Sequence, residues 1–185
     1  NQGMHGSLSG SYTRGTAGAL NGVTDAATTF AQGRAVSTLQ LANPSVYSTE
    51  LWFRTTTTQG GKLSGFGNSQ NGNSSTTGRH VIMRDNGTLV FGTGGSTVST
   101  AQSYNDGAWH HVVATQGPNG LRLYVDSVLR GSSTANPASR RYGTASPRMG
   151  VSMKLGHRAL TVTPCSATSG AMARTSPITV CLVAA

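Results

Sequence analysis

Between Trp109 and Asp126 the chain reads Trp-His-His-Val-Val-Ala-Thr, then Gly-Pro-Asn-Gly, then Leu-Arg-Leu-Tyr-Val-Asp. In an extended strand alternate side chains point to opposite faces, so Leu121, Leu123 and Val125 share one face and Arg122 and Tyr124 the other. Two such runs around a glycine-bearing break form a β-hairpin. A second hairpin is expected where Val81-Ile82-Met83 and Leu89-Val90-Phe91 flank Arg84-Asp85-Asn86-Gly87-Thr88, because Asn-Gly accepts the positive φ of a tight turn. Thr49 to Thr55 alternates as well, with Leu51 and Phe53 on one face and Glu50, Trp52 and Arg54 on the other. No 3.6-residue period is sustained before residue 127. An all-β sandwich is the expected architecture.

The bulk composition agrees. The 185 residues include 22 Ser, 25 Thr and 25 Gly, which favours β-branched strand positions and tight turns. A hydrophobic fraction of 36% fills one modest core, so a single domain with peripheral segments is expected. The first 35 residues are polar apart from a strand-like Ala27-Thr28-Thr29-Phe30, and residues 67–78 read as a polar loop. Only 10% of residues are charged, as in extracellular β-proteins. No apolar run is long enough to span a bilayer, and the start at Asn1 is read as that of a piece of a longer chain. Cys165 and Cys181 have no zinc-site spacing; a disulfide and two free thiols both stay open.

The net charge of +9 is unevenly spread. All five acids, Asp25, Glu50, Asp85, Asp106 and Asp126, precede residue 127, where seven basic residues leave 7 − 5 = +2. Residues 127–185 carry seven basic residues and no acid, hence +7. Arg140, Arg141, Arg148, Lys154, Arg158 and Arg174 would attract any polyanion, but no nucleic-acid motif accompanies them, so no specific nucleic-acid partner is expected.

Four segments in order resemble the bacterial branch of the laminin G-like, concanavalin A-like superfamily: Glu50-Leu51-Trp52-Phe53-Arg54-Thr55, Gly60 to Asn68, Tyr104 to Ala114, and Leu121 to Asp126. The resemblance implies two antiparallel sheets packed face to face as a jelly roll. It further implies an accessory module that binds glycans or other extracellular ligands, at the cell surface or secreted, within a multidomain chain. Such domains usually finish on a strand of the type Gly-x-Ile-Asp-Glu-Val, and residues 132–185 contain none. The expected division is therefore a jelly-roll domain at 1–131, incomplete at its C-terminal end, and a basic tail at 132–185 that is out of frame or divergent. Without a closing strand, Leu51, Phe53, Leu123 and Val125 would lose part of their cover.

Relatives with this fold include glycoside hydrolases, which need two carboxylates roughly 5–10 Å apart. Here each acid stands at least 20 residues from the next, and no Glu-x-Asp-x-x-Glu cluster occurs. Serine-hydrolase, zinc-protease and nucleotide-binding patterns are also absent. A non-catalytic carbohydrate-binding or adhesive module is the leading reading, a structural or protein-interaction domain the alternative, and a polysaccharide hydrolase the third. For ligand binding the candidates are Glu50, Trp52 and Arg54, whose shared face suits sugar stacking and hydroxyl recognition, with Tyr124, Arg79 and His80. His110 and His111 face opposite ways, so adjacent positions cannot ligate one metal. The turns Asp85-Asn86 and Asn105-Asp106 offer oxygens to calcium, but each brings a single carboxylate to an ion that takes roughly six to eight oxygens.

Overall fold

The computed structural model describes residues 6–22, 24, 26–37, 46–67, 77–93 and 95–135, and the backbone of three short strands further on, Lys154–Leu155, Leu160–Thr163 and Ile178–Val180. Among the described residues there is no helix. The strands are β1 (Gly6–Ser9), β2 (Tyr12–Ala17), β3 (Ala26–Phe30), β4 (Arg34–Ser37), β5 (Tyr47–Thr55), β6 (Gly61–Gly67), β7 (Thr77–Met83) and β8 (Thr88–Thr93). They continue with β9 (Ser96–Ser103), β10 (His110–Gly117), β11 (Gly120–Val125), β12 (Val128–Ser133), β13 (Lys154–Leu155), β14 (Leu160–Thr163) and β15 (Ile178–Val180).

They form two main sheets. The large sheet runs β12-β11-β10-β5-β14-β3-β2, with β15 also on β5; the small one runs β13-β6-β7-β8-β9. β1 and β4 pair as a separate ribbon. Pairing is antiparallel except for β15 against β5. This is the all-β sandwich that the alternating runs and their turns predict, with the two-sheet jelly-roll form that the resemblance implies.

The longest strand shows why the sheets stack. Along β5 every second residue from Tyr47 to Thr55 is buried, and the residues between are half-buried. Leu51 and Phe53 thereby meet Val112, Leu121, Leu123 and Val125 of their own sheet and Leu63, Val81, Met83, Leu89 and Phe91 of the other. Tyr47 sits edge-on to Phe66 at 5.9 Å and to Phe91 at 6.3 Å, tying the layers together. Each fully buried side chain of this size contributes about 1.5–3 kcal/mol of transfer free energy.

Three turns set the registers. Asn86 Oδ1 accepts from Thr88 N at 3.1 Å and Thr88 Oγ1 at 2.7 Å, while Gly87, at φ +83°, donates its N–H to the Arg84 carbonyl at 2.9 Å. In the β10–β11 hairpin Gly120 is at φ +90°, and a Cβ there would run into the Ser133 carbonyl oxygen. The β11–β12 turn holds Asp126 and Ser127 at φ 53° and 66°, a left-handed pair without glycine.

The backbone after Ser133 returns to the large sheet. β14 pairs with β5 across Trp52 to Thr55 and with β3 across Thr28 to Phe30, and β15 pairs with β5 across Tyr47 to Thr49. The expected loss of cover is accordingly not met: Leu51, Phe53, Leu123 and Val125 are at most 2% exposed. Cys165, Cys181, Arg140, Arg141, Arg148, Arg158 and Arg174 lie outside the described residues, as does most of the polar loop at 67–78.

Candidate functional site

Because Leu51 and Phe53 point into the core, Glu50, Trp52 and Arg54 must point out, and the neighbouring strand completes the face they form. The β5–β10 register places His111 opposite Trp52 and Val113 opposite Glu50. The imidazole of His111 stacks on the Trp52 indole, with centroids 4.7 Å apart and planes 23° from parallel. His111 Nε2 also lies 2.8 Å from Glu50 Oε1. A carboxylate only accepts, so the hydrogen sits on Nε2 and the ring is fixed in orientation. One step further along β5, the Arg54 guanidinium lies over the Trp109 ring at 5.0 Å. Both tryptophans of the chain are therefore on this outer face, each held by a neighbouring side chain.

Tyr124 belongs to the same face: it pairs with Val113, which in turn pairs with Glu50. Arg79 and His80 do not. Both are on β7 of the small sheet. Arg79 is buried at φ 50° with its guanidinium 5.4 Å from the Tyr47 ring, so it fills the sandwich interior between the layers. His80 faces outward on the far side of the molecule, and burial first, then the charge of Lys62, hold its pKa below the ordinary histidine value.

At one end of the large sheet is a cluster that sequence reasoning missed. His110 is buried, against the rings of Phe53 (5.7 Å) and Tyr104 (5.0 Å). Its Nδ1 lies 2.8 Å from Asp126 Oδ2 and its Nε2 3.0 Å from Asp106 Oδ1. Asp126 Oδ1 additionally accepts the His111 backbone N–H at 2.9 Å, and Asp126 itself is at φ 53° in its turn. The Ala108 N–H, then the His110 side chain, hold the Asp106 carboxyl below the usual carboxylate range. Twenty residues separate the two acids in sequence, and only the β10–β11 register brings them to one imidazole. The signal was the His-His pair at the start of a strand: one of the two must turn toward the core end.

The four calcium candidates gather at that same end. Tyr104 donates its N–H to the Gly87 carbonyl at 3.0 Å, joining the two turns, and Asn105 Nδ2 donates to the Thr57 carbonyl at 2.8 Å. Asn86 Oδ1 and Asp106 Oδ1 accept hydrogen bonds within or beside their own turns, and Asp85 is exposed. Among the described residues no three His, Cys, Asp or Glu side chains are grouped to hold a metal ion.

A family model of laminin G type, described as the concanavalin A-like lectin/glucanases superfamily, matches residues 21–162. No curated protein matches. Among solved structures, a receptor binding domain is similar with a TM-score of 0.52 at 13% identity, over 86% of this chain and 41% of that one. This chain thus spans well under half the length of that relative. Domain 4 of AbnA, a GH43 extracellular arabinanase from Geobacillus stearothermophilus solved with arabinotriose, is similar with a TM-score of 0.53 at 14% identity, over 85% of this chain and 81% of that one. At these identities the likeness is one of fold. The family match covers more than half of the chain, and the chain belongs to the concanavalin A-like lectin/glucanases superfamily.

Proposed function

We propose that this domain is a non-catalytic carbohydrate-binding or adhesive module of a larger secreted or surface protein, and that it binds saccharides on the outer face of the large sheet. The observation that carries the reading is the paired platform Trp52–His111 and Arg54–Trp109 on adjacent strands. Indoles offer flat apolar faces to the C–H faces of sugar rings, while Glu50 and Arg54 offer an acceptor and donors for hydroxyls. Arabinotriose bound to a domain of the same fold supports a saccharide ligand.

Glycosidic cleavage needs a carboxylic acid held protonated, and the Asp106 carboxyl is shifted the opposite way. Asp126 has both oxygens engaged, and Glu50 is bonded to His111. A second reading, docking of a protein, is favoured by Val128 and Leu129, 48% and 47% exposed on the edge strand β12.

A glycan array that includes arabino-oligosaccharides and β-glucan oligosaccharides tests the first reading. Binding is expected, and Trp52→Ala and Trp109→Ala are each expected to reduce it at least tenfold. An array blank across neutral saccharides, with a specific protein captured through β12, would favour the second.

A further inference from the structure

His110 stands in sequence between two platform residues, Trp109 and His111, and by the alternation of the strand it points the opposite way, into the end of the core. Its hydrogen bonds run to two turns, and those turns hold the backbone on either side of it. Trp109 needs such holding. The β5–β10 ladder begins at His110 opposite Phe53, so Trp109 precedes it, in the connection from β9. The Arg54 guanidinium lies 5.0 Å from its ring, which sets the ring over the face but does not fix the backbone that carries it.

Asp106 fixes that backbone. A single oxygen, Oδ1, accepts the Ala108 N–H at 2.8 Å and lies 3.0 Å from His110 Nε2, so it ties the residue before Trp109 to the ring of the residue after it. The Gly107 N–H donates to the Thr55 carbonyl at 3.0 Å, fastening the same turn to the end of β5 beside Arg54. On its other side the imidazole is held by Asp126, whose Oδ2 lies 2.8 Å from Nδ1. Asp126 also takes both backbone groups of His111: Oδ1 accepts the His111 N–H at 2.9 Å, and the Asp126 N–H donates to the His111 carbonyl at 2.8 Å. A carboxylate only accepts, so with both bonds made each nitrogen of His110 carries hydrogen and both bonds are charge-assisted. The rings of Phe53 and Tyr104 pack against the imidazole and limit its rotation.

From this arrangement we infer that Asp106, His110 and Asp126 are positioning residues of the saccharide platform, acting through Trp109 and His111 rather than by contact with the sugar. The inference takes its purpose from the carbohydrate-binding reading and its geometry from the hydrogen bonds alone. A platform residue that leaves its place binds only for the fraction of time it is in place, so holding Trp109 and His111 raises affinity without adding a contact.

The test is made on Asp106, whose side chain is 59% exposed, so that changing it does not open the core. Asp106→Ala removes both bonds, whereas Asp106→Asn keeps an oxygen able to accept both. The whole chain is titrated with arabinotriose and with β-glucan oligosaccharides, and the two indole Nε1–H signals are read before and after. In Asp106→Ala the Trp109 signal is expected to shift or broaden while that of Trp52 stays, and affinity to fall about fivefold, the equivalent of one net hydrogen bond. Asp106→Asn is expected to restore both. Asp126→Gly, which suits the positive φ there, is expected to move the ring protons of His111. Val81→Ala, a core change in the other sheet, is expected to lower Tm and leave affinity unchanged, which separates positioning from loss of stability. The indole signals need no ligand. If the unsubstituted chain binds neither probe while Asp106→Ala still moves Trp109, the carbohydrate reading falls and the positioning of Trp109 stands. A Trp109 signal or an affinity unmoved by Asp106→Ala, no recovery in Asp106→Asn, or a His111 ring unmoved by Asp126→Gly would overturn the inference.

Discussion

The outer faces of the two sheets are built from the same alternation of inward and outward side chains, yet they treat polar groups in opposite ways. On the large sheet the four platform side chains are partnered within the face: His111 with Trp52 and Glu50, Arg54 with Trp109. On the small sheet glycines flank a histidine, and a half-buried lysine has no carboxylate partner among the described residues. A face whose groups are mutually satisfied is already in its binding geometry and offers shape and stacking. On the small sheet a desolvated, unpaired donor carries a cost in stability that its neighbours do not offset.

The contrast rests on one shared core, so the largest expected effect removes both faces at once. Phe53 is 0% exposed and packs against His110. Phe53→Ala is expected to cost about 3–5 kcal/mol, a large part of the roughly 5–15 kcal/mol that holds a domain together. Chemical denaturation read by circular dichroism would give the value, and a loss under 1 kcal/mol would show that the two sheets do not share this core.

Gly65→Val sharpens the contrast by filling one face only. Its Cβ would be 2.8 Å from His80 Cβ and 3.0 Å from His80 Cα, so the strands must move apart, at about 1–3 kcal/mol. Neutral-saccharide binding on the large sheet is expected to persist. Glu50→Gln is milder: cross-strand pairs of this kind contribute about 0.2–1 kcal/mol, and the expected loss in denaturant midpoint is correspondingly small. If it instead destabilised by several kcal/mol, the large-sheet face would not be the pre-satisfied surface described.

The smallest effect is in pH. His80 has a folded pKa lowered from the histidine reference, so on acidification the unfolded chain takes up its proton first. Stability from this group is complete above the reference value and is lost as pH falls from there through the lowered folded value. Lys62 from β6 is the charged group facing it, and its neighbours on β8, Gly92 and Val90, carry none. Asp106, also lowered, acts in the same direction in a more acid window, below the ordinary carboxylate value. Thermal melts from neutral to mildly acid pH should therefore show a smaller decline in His80→Ala than in the unsubstituted chain.

The fold was legible because it is written in alternation and turns. Leu51 and Phe53, or Leu121, Leu123 and Val125, specify a face with no knowledge of the partner sheet, and Asn86-Gly87 specifies a turn. Glu50, Trp52 and Arg54 fall on one face by the same parity, and Tyr124 joins them only through the β5–β10–β11 register. Arg79 and His80 were grouped with them on polarity alone, and the sheet assignment separates them, because which strands join which sheet is a long-range matter. His111, Trp109 and the Asp106–His110–Asp126 cluster depend on register between distant segments, which no local pattern encodes. The entry of β14 and β15 along β5 was likewise hidden, since four and three residues without acids carry too little alternation to read as strands.

The chain contains two tryptophans, and both are on the face assigned to saccharides. Their two indole Nε1–H resonances thus report on that face alone. In a titration of isotope-labelled protein with a neutral oligosaccharide identified from the array, both signals should shift with one common dissociation constant, together with the ring protons of His111, while those of His80 stay in place. Saturable binding that leaves both indole signals unmoved would contradict the assignment of the site to the Trp52–Trp109 face.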